Sequence, residues 1–409
     1  MIAIIAVLLL VVTMTSPNTG SYFIGRELCQ SFSTVRWFCQ LFGTAPSSLD
    51  MLGRSPFSPK NDLKKIVSHL VQLSWTVAIY FCHLYCAYQT ITETMRLHLP
   101  FFTQLLYNCE LIITTISMTM IFIGCRYHSA QYHIVTDKIV EVLVGFELFG
   151  ENDMLQKVQQ RLKAVIVFAT VLFTISVGCD FHTRPTFWKT LISVGSYILP
   201  HWITVMAMIQ YTYVVSVIHQ ITKHSNRVLK RQVEIQHTVS EKNVFDTIEF
   251  LQQKILLINH LMYDVNKVFG WLFLNTILSV IIVSSVQFLE GYQFSYRKTV
   301  SIKDITYFIY TIFWIVLQLG HLMLFLYPNH LVKYEMKKIA LNLCELDRPE
   351  LFEIVEKFSR QFLLHDGQYL ACGIVELDLK LLTSIFGALT TYLVLLIQYD
   401  TGDYRSQFG

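Results

Sequence analysis

The sequence predicts an all-α polytopic membrane protein with seven transmembrane helices, its N-terminus cytoplasmic and its C-terminus extracellular. Three observations predict this. Hydrophobic residues make up 53% of the 409 residues and charged residues only 15%, a balance too apolar for a soluble protein of this length. The apolar residues gather in seven blocks long enough to cross a bilayer. Lys and Arg are concentrated on alternate loops.

Taken in order, the chain opens with an apolar stretch, Met1 to Thr15, that is too short to span. No Lys or Arg precedes it, so a greasy cytoplasmic segment is favoured over a signal peptide. The spans are read at about 66–91, 99–124, 163–182, 187–218, 269–290, 304–327 and 379–401. Pro200 falls inside the fourth and is expected to kink it. The second span alone carries a mid-span charge, Glu110. A carboxyl there must face the bundle interior, where it serves a ligand or ion path or a structural hydrogen bond.

Orientation follows from the basic residues. Twenty-three of the 32 Lys and Arg lie in the N-terminal tail and in the loops after spans two, four and six, against seven on the opposite side. The positively charged side is cytoplasmic. A seven-helix G-protein-coupled receptor has the reverse orientation, so the count argues against that class. The long cytoplasmic loops are amphipathic. Val244, Ile248, Leu251, Ile255, Ile258, Leu261, Met262 and Val265 recur at helical spacing, opposite Glu241, Asp246, Glu249, Gln252, Lys254 and Asn259. Spans four and five therefore continue into the cytosol as helices, and residues 331–364 share the pattern.

Enzyme motifs are missing: there is no His-Glu-x-x-His, no Gly-x-Ser-x-Gly and no phosphate-binding loop. No cofactor is implied. The nine cysteines show no paired spacing, and the loose group Cys125, His128 and His133 reads as interfacial rather than as a metal site. A net charge of +3 points to no nucleic-acid partner. The outer halves of spans two to six carry aromatics among small polar groups: Thr103, Gln104, Tyr107, Asn108, Asp180, Trp188, Tyr197, Gln287, Glu290, Tyr307, Tyr310 and Trp314. Such walls suit a small organic ligand, although interfacial aromatics also serve as anchors. Trp188 and Trp314 lead the ligand-binding candidates, followed by Tyr107, Asn108, Gln287 and Tyr310.

The last block is the most informative. Lys380 to Thr401 spans 22 residues, about 33 Å as a helix at roughly 1.5 Å per residue. Small residues at Ser384, Gly387, Ala388, Thr390 and Thr391 allow close helix approach. In Thr391-Tyr392-Leu393-Val394-Leu395-Leu396-Ile397-Gln398-Tyr399, a Gln amide sits where lipid would be costly, so Gln398 faces protein or an aqueous path. This Thr-Tyr, five apolar residues, Gln and aromatic closely resembles the C-terminal signature of the insect gustatory receptors. Ala371-Cys372-Gly373, Leu377-Asp378, Leu381-Leu382 and Ser384-Ile385 fit the same pattern, as does Phe38 to Pro46 near the start. Tyr399 departs from the family's usual Phe but keeps the ring.

The resemblance implies a subunit of a homo- or heterotetrameric, ligand-gated, non-selective cation channel with no cofactor. Its partners would be a small tastant, monovalent and divalent cations, the lipid bilayer and other gustatory receptors. It implies a multi-pass protein of the plasma membrane, in sensory neuron dendrites. Segment 1–65 would be cytoplasmic, 66–327 the ligand-binding bundle, 328–378 anchor helices between subunits, and 379–409 the pore helix with a short outer tail. In that frame Leu395 is the gate, Gln398 contributes to ion permeation, and Thr391 and Tyr392 contact neighbouring spans. Sugar-sensing members commonly carry Glu after the Thr-Tyr pair, where this chain has Leu393, which weakens a sugar assignment, and a bitter or aversive ligand is slightly favoured mainly because that group of the family is large. A G-protein-coupled chemoreceptor is the alternative, and a transporter, for which no paired repeat is visible, the third class.

Overall fold

A computed structural model describes residues 32–33, 35–44, 62–96, 101–147, 154–184, 186–238, 240–295, 301–347, 349–364 and 370–408. Met1 to Thr15, Ala45 and Pro46 lie outside them. After a short helical segment at 35–41, ten helices follow: α1 Asp62–Arg96, α2 Phe101–Tyr127, α3 Ser129–Glu147, α4 Met154–Thr183, α5 Phe187–Ser193, α6 Leu199–Ile235, α7 Glu241–Ser295, α8 Ile302–Cys344, α9 Phe352–Leu364 and α10 Lys380–Phe408. Six spans are long and apolar enough to cross a membrane, with α5 and α6 forming one of them, and the apolar stretch Lys380–Leu395 opens α10. The seven expected spans thus all fall on helices.

Inside a bilayer each polar side chain needs a partner within the protein. Hydroxyls in the spans mostly bond the carbonyl one turn back, as Thr114 does to Glu110 (2.9 Å), Ser117 to Ile113 (3.0 Å) and Ser176 to Leu172 (3.0 Å). Burial separates the helices by role. In the span formed by α5 and α6, 83% of the most apolar window is buried, against 22% in α1. The α6 helix is therefore the core post and α1 an outer helix.

Two prolines show how the bundle absorbs a missing N–H. Pro200 does not kink the interior of its span. It occupies the first turn of α6, where no N–H is needed. The irregularity sits just before it, in the π turn Val194–Ile198, where the Leu199 N–H reaches back to the Val194 carbonyl. His83 Nδ1 meets the Gly195 carbonyl of that turn at 3.0 Å. Pro328 lies inside α8 and leaves the Leu324 carbonyl without its helical donor. The Thr212 hydroxyl of α6 approaches that carbonyl to 2.6 Å. The adjacent Asn329 bonds the Phe325 carbonyl at 2.7 Å and the Tyr211 hydroxyl at 2.5 Å, while Tyr211 donates to Asn266 Oδ1 at 2.9 Å. This network ties α6, α7 and α8 together at mid-length.

The helical extensions of α6, α7 and α8 are present as the periodicity predicted. All eight apolar positions from Val244 to Val265 are buried within the one chain. Packing inside a subunit therefore accounts for that stripe. Gln252, placed on the polar face by its spacing, is buried too, because α9 lies over it and Gln361 reaches its carbonyl at 3.5 Å.

The link into α10 is a two-stranded hairpin, β1 Leu370–Ala371 and β2 Val375–Glu376. Its turn places Cys372 and Gly373 both at positive φ, with the Ile374 N–H on the Ala371 carbonyl at 3.0 Å. The hairpin presses on α7 at Gly270, where a Cβ would lie 2.8 Å from the Cys372 backbone nitrogen. The Ala-Cys-Gly run thus has a packing partner in α7.

Candidate ligand cavity and last helix

At the end of the bundle opposite the long α7 and α8 extensions, helices α1, α2, α4, α7 and α8 and the α5–π turn region enclose a cavity of about 370 Å³. Ligand sites for small organic molecules begin at this size. Five rings face it: Tyr107 of α2, Tyr197 of the π turn, and Tyr307, Tyr310 and Trp314 of α8. Trp314 is buried and stacks edge-on against Tyr310 and His201. Polar groups come from the helix ends: Thr90 and Glu93, Glu110, Asp180 with Thr183 and Arg184, Ser193, Gln287 and Glu290.

Each of these is placed by spacing along its helix. Asp180 and Arg184 are four apart at the end of α4 and pair at 2.8 Å. Tyr307 and Glu290 meet across the α7–α8 corner, the phenol donating to the carboxylate at 2.8 Å. Lys189 of α5 reaches Glu93 of α1 at 3.5 Å. The Glu110 carboxyl has no hydrogen-bond or ion-pair partner among the described residues, although Glu110 is only 3% exposed. Asp180 Oδ2, Gln287 Oε1 and Ser193 Oγ are likewise buried without partners.

Of the six ligand candidates, Tyr107, Gln287, Tyr310 and Trp314 line the cavity. Trp188 does not: it is 55% exposed on α5, the position of an interfacial anchor. Asn108 is half-buried on α2 and is not among the cavity-lining residues, with Oδ1 unpartnered. Asp180, Tyr197, Glu290 and Tyr307 of the wider set line it. Arg184 and Glu93 were not among the candidates. The i,i+4 spacing from Asp180 was the available signal for Arg184.

The last helix contrasts with this enclosure. Among the elements it touches, α10 packs mainly on α7, and Ile385 and Leu389 are the buried apolar contacts within it. Leu395 is 47% exposed, and Gln398, one turn on and on the same face, is exposed as well. The Thr391 hydroxyl bonds the Gly387 carbonyl of its own helix at 3.0 Å, and Tyr392 is 39% exposed. Among the described residues no group of His, Cys, Asp or Glu is placed to hold a metal ion.

Comparison with known proteins places these two regions in context. A family model described as 7tm chemosensory receptor matches residues 32–402. The putative gustatory receptor 59f of Drosophila melanogaster is 20% identical over 337 residues, covering 81% of this chain and 80% of that one. The Drosophila gustatory receptor for sugar taste 43a is 31% identical over 128 residues, so this chain spans only 30% of its length. The Drosophila gustatory receptor for bitter taste 66a is 38% identical over 64 residues. The solved insect olfactory receptor OR5 from Machilis hrabei in complex with eugenol superposes with a TM-score of 0.65 at 12% identity, covering 92% of this chain and 99% of the receptor. That likeness establishes the fold.

Proposed function

The chain belongs to the 7tm chemosensory receptor family, and from that premise we propose that it is a subunit of a ligand-gated, non-selective cation channel opened by a small tastant. As a family member it is a multi-pass membrane receptor for small ligands, not an enzyme. In the proposed arrangement four subunits stand in the plasma membrane with their N-termini in the cytosol. Four copies of α10 surround one pore. Leu395 forms the gate, and Gln398 dresses the permeating ion near the outer mouth. Tyr107, Gln287, Tyr310 and Trp314 contact the ligand in the outer cavity of each subunit. Binding favours the open state by its excess affinity for that state. Leu393 directly after Thr391-Tyr392 favours an aversive ligand over a sugar.

The observation that carries this reading is the uncovered face of α10. The exposed side of α1 is largely apolar, with Leu70, Val71 and Phe81, as lipid requires. The exposed side of α10 mixes Leu395 with Thr390, Thr391 and Gln398. A mixed face in a membrane calls for other protein or water, and copies of the same helix around a pore supply both.

The test is current in outside-out patches that lack GTP, from cells expressing the chain alone, challenged with sugars and bitter compounds. Ligand-evoked cation current is expected. A response that requires GTP would support the G-protein-coupled alternative and overturn the channel.

A further inference from the structure

The outer cavity is lined by more carboxylates than cations. It holds four carboxylates, those of Glu93, Glu110, Asp180 and Glu290. Two have cations: Arg184 sits on Asp180 and Lys189 on Glu93. A third, Glu290, accepts from the Tyr307 phenol. Glu110 is left over, 3% exposed and facing the cavity. An ionised carboxylate so enclosed is costly without a counter-charge. Two further acceptor atoms at the cavity, Asp180 Oδ2 and Gln287 Oε1, are buried without a donor.

We infer that the cavity takes a protonated amine, with the ammonium on Glu110 and the body of the ligand among the tyrosine rings and Trp314. This rests on the reading of the cavity as the ligand site. An ammonium brings donors and no acceptors, which is what the orphaned oxygens lack. It also brings the charge that Glu110 lacks. A sugar hydroxyl supplies a donor but adds an acceptor with it, and leaves Glu110 uncompensated. An anion would meet excess negative charge. Five aromatic rings around one carboxylate are the usual surroundings of a bound organic cation, since the ring faces attract it. A cavity of about 370 Å³ accommodates a ligand of one or two rings.

The experiment is a matched pair on the purified full-length chain in lipid nanodiscs near neutral pH. The probes are 4-benzylpiperidine, which is protonated there, 4-benzylcyclohexanol, which is neutral and similar in shape, and D-fructose. Calorimetry reads affinity. The amine is expected to bind at least about tenfold more tightly than the alcohol, equivalent to about 1.4 kcal/mol. Glu110→Gln should remove that preference, and Glu110→Asp should keep part of it. The wild-type comparison stands alone if Glu110→Gln fails to fold. Equal binding of amine and alcohol, binding of D-fructose alone, or binding of none of the three overturns the inference. An amine preference that survives in a folded Glu110→Gln overturns the assignment to Glu110. Currents from the same preparation in a planar bilayer separate the two claims. Amine binding with no amine-evoked current defeats the channel reading and leaves the amine assignment intact.

Discussion

The outer cavity and the last helix are opposite kinds of site. The cavity is finished within one chain: α1, α2, α4, the α5–π turn region, α7 and α8 each contribute a wall, and its charges are largely paired. No single stretch of sequence spells it. The last helix is spelled out in one continuous run from Thr391 to Tyr399, yet the chain leaves the face bearing Leu395 and Gln398 uncovered. A cavity built by packing hides in sequence and shows in structure. A helix that one chain leaves partly uncovered does the reverse. Variants in the two regions should therefore fail differently.

The largest effect on current is expected at Leu395. Leu395→Ala removes most of an apolar side chain that is 47% exposed in one chain, so folding of the subunit should barely change. The closed pore would lose its dewetting ring. A shift of about 1.4 kcal/mol between closed and open states raises the ligand-free open fraction about tenfold while it remains small. The readout is holding current without ligand, and it should rise by at least that factor with surface expression unchanged. No leak and no change in gating would remove the gate assignment.

Arg184→Met should do the opposite, damaging the fold first. Asp180 is 3% exposed and would keep a buried charge with no partner. Because the Arg184 side chain itself is 36% exposed, the cost falls below the ~3–5 kcal/mol of breaking a fully buried pair. A large drop in melting temperature and in surface expression is expected. Asp180→Asn combined with Arg184→Met should restore part of the loss, because the stranded charge is gone. A double variant no better than the single one would show that Arg184 acts through something other than Asp180.

Thr212→Val is a smaller test of the core between the two sites. It keeps the shape but withdraws the hydroxyl from the Leu324 carbonyl, which Pro328 leaves without a helical donor. A buried carbonyl without a partner costs about 1–3 kcal/mol. The melting temperature should fall while the concentration dependence of ligand binding stays put. An unchanged melting temperature would mean that Leu324 finds another donor.

These cases also mark what the sequence could carry. The helices were legible because apolar blocks and a 3.6-residue stripe are local signals, and Val244 to Val265 proved buried throughout. Pro200 misled, because a proline in an apolar run reads as an interior kink, whereas the π turn before it moves it to a first turn. Glu110 was legible as the only acid well inside a span. Arg184 was read only as a basic residue beyond an apolar run, and its place at the cavity depends on α4 ending beside α8 and the π turn. Trp188 was favoured for its place close to a span end with polar neighbours, but on the short α5 it is exposed and lies outside the cavity lining. Convergence of side chains from six segments is a tertiary fact, and no spacing rule encodes it.

The smallest effect joins the last helix to the body. Asp378 stands just ahead of α10 and takes the Leu379 N–H at 2.6 Å, with His330 Nδ1 at 3.4 Å and Lys333 Nζ at 4.0 Å. Burial opposes its charge, but the Leu379 N–H, the His330 ring and Lys333 outweigh that and hold the carboxyl below the usual carboxylate range. A depressed folded value means stability that is complete well above the ordinary carboxylate range and is lost as pH falls through the folded value. Asp378→Asn should therefore cost about 0.5–1 kcal/mol near neutral pH, the scale of a charge at a helix start. That cost should shrink as the wild type is acidified below about pH 4. Melting curves of both proteins across pH check this. A gap between them that holds constant into acid would show that Asp378 acts by its shape rather than its charge. The coupling of α10 to the body would then rest on the bond from Lys333 of α8 to Glu376 at 2.7 Å and on the contact of the hairpin with Gly270 of α7.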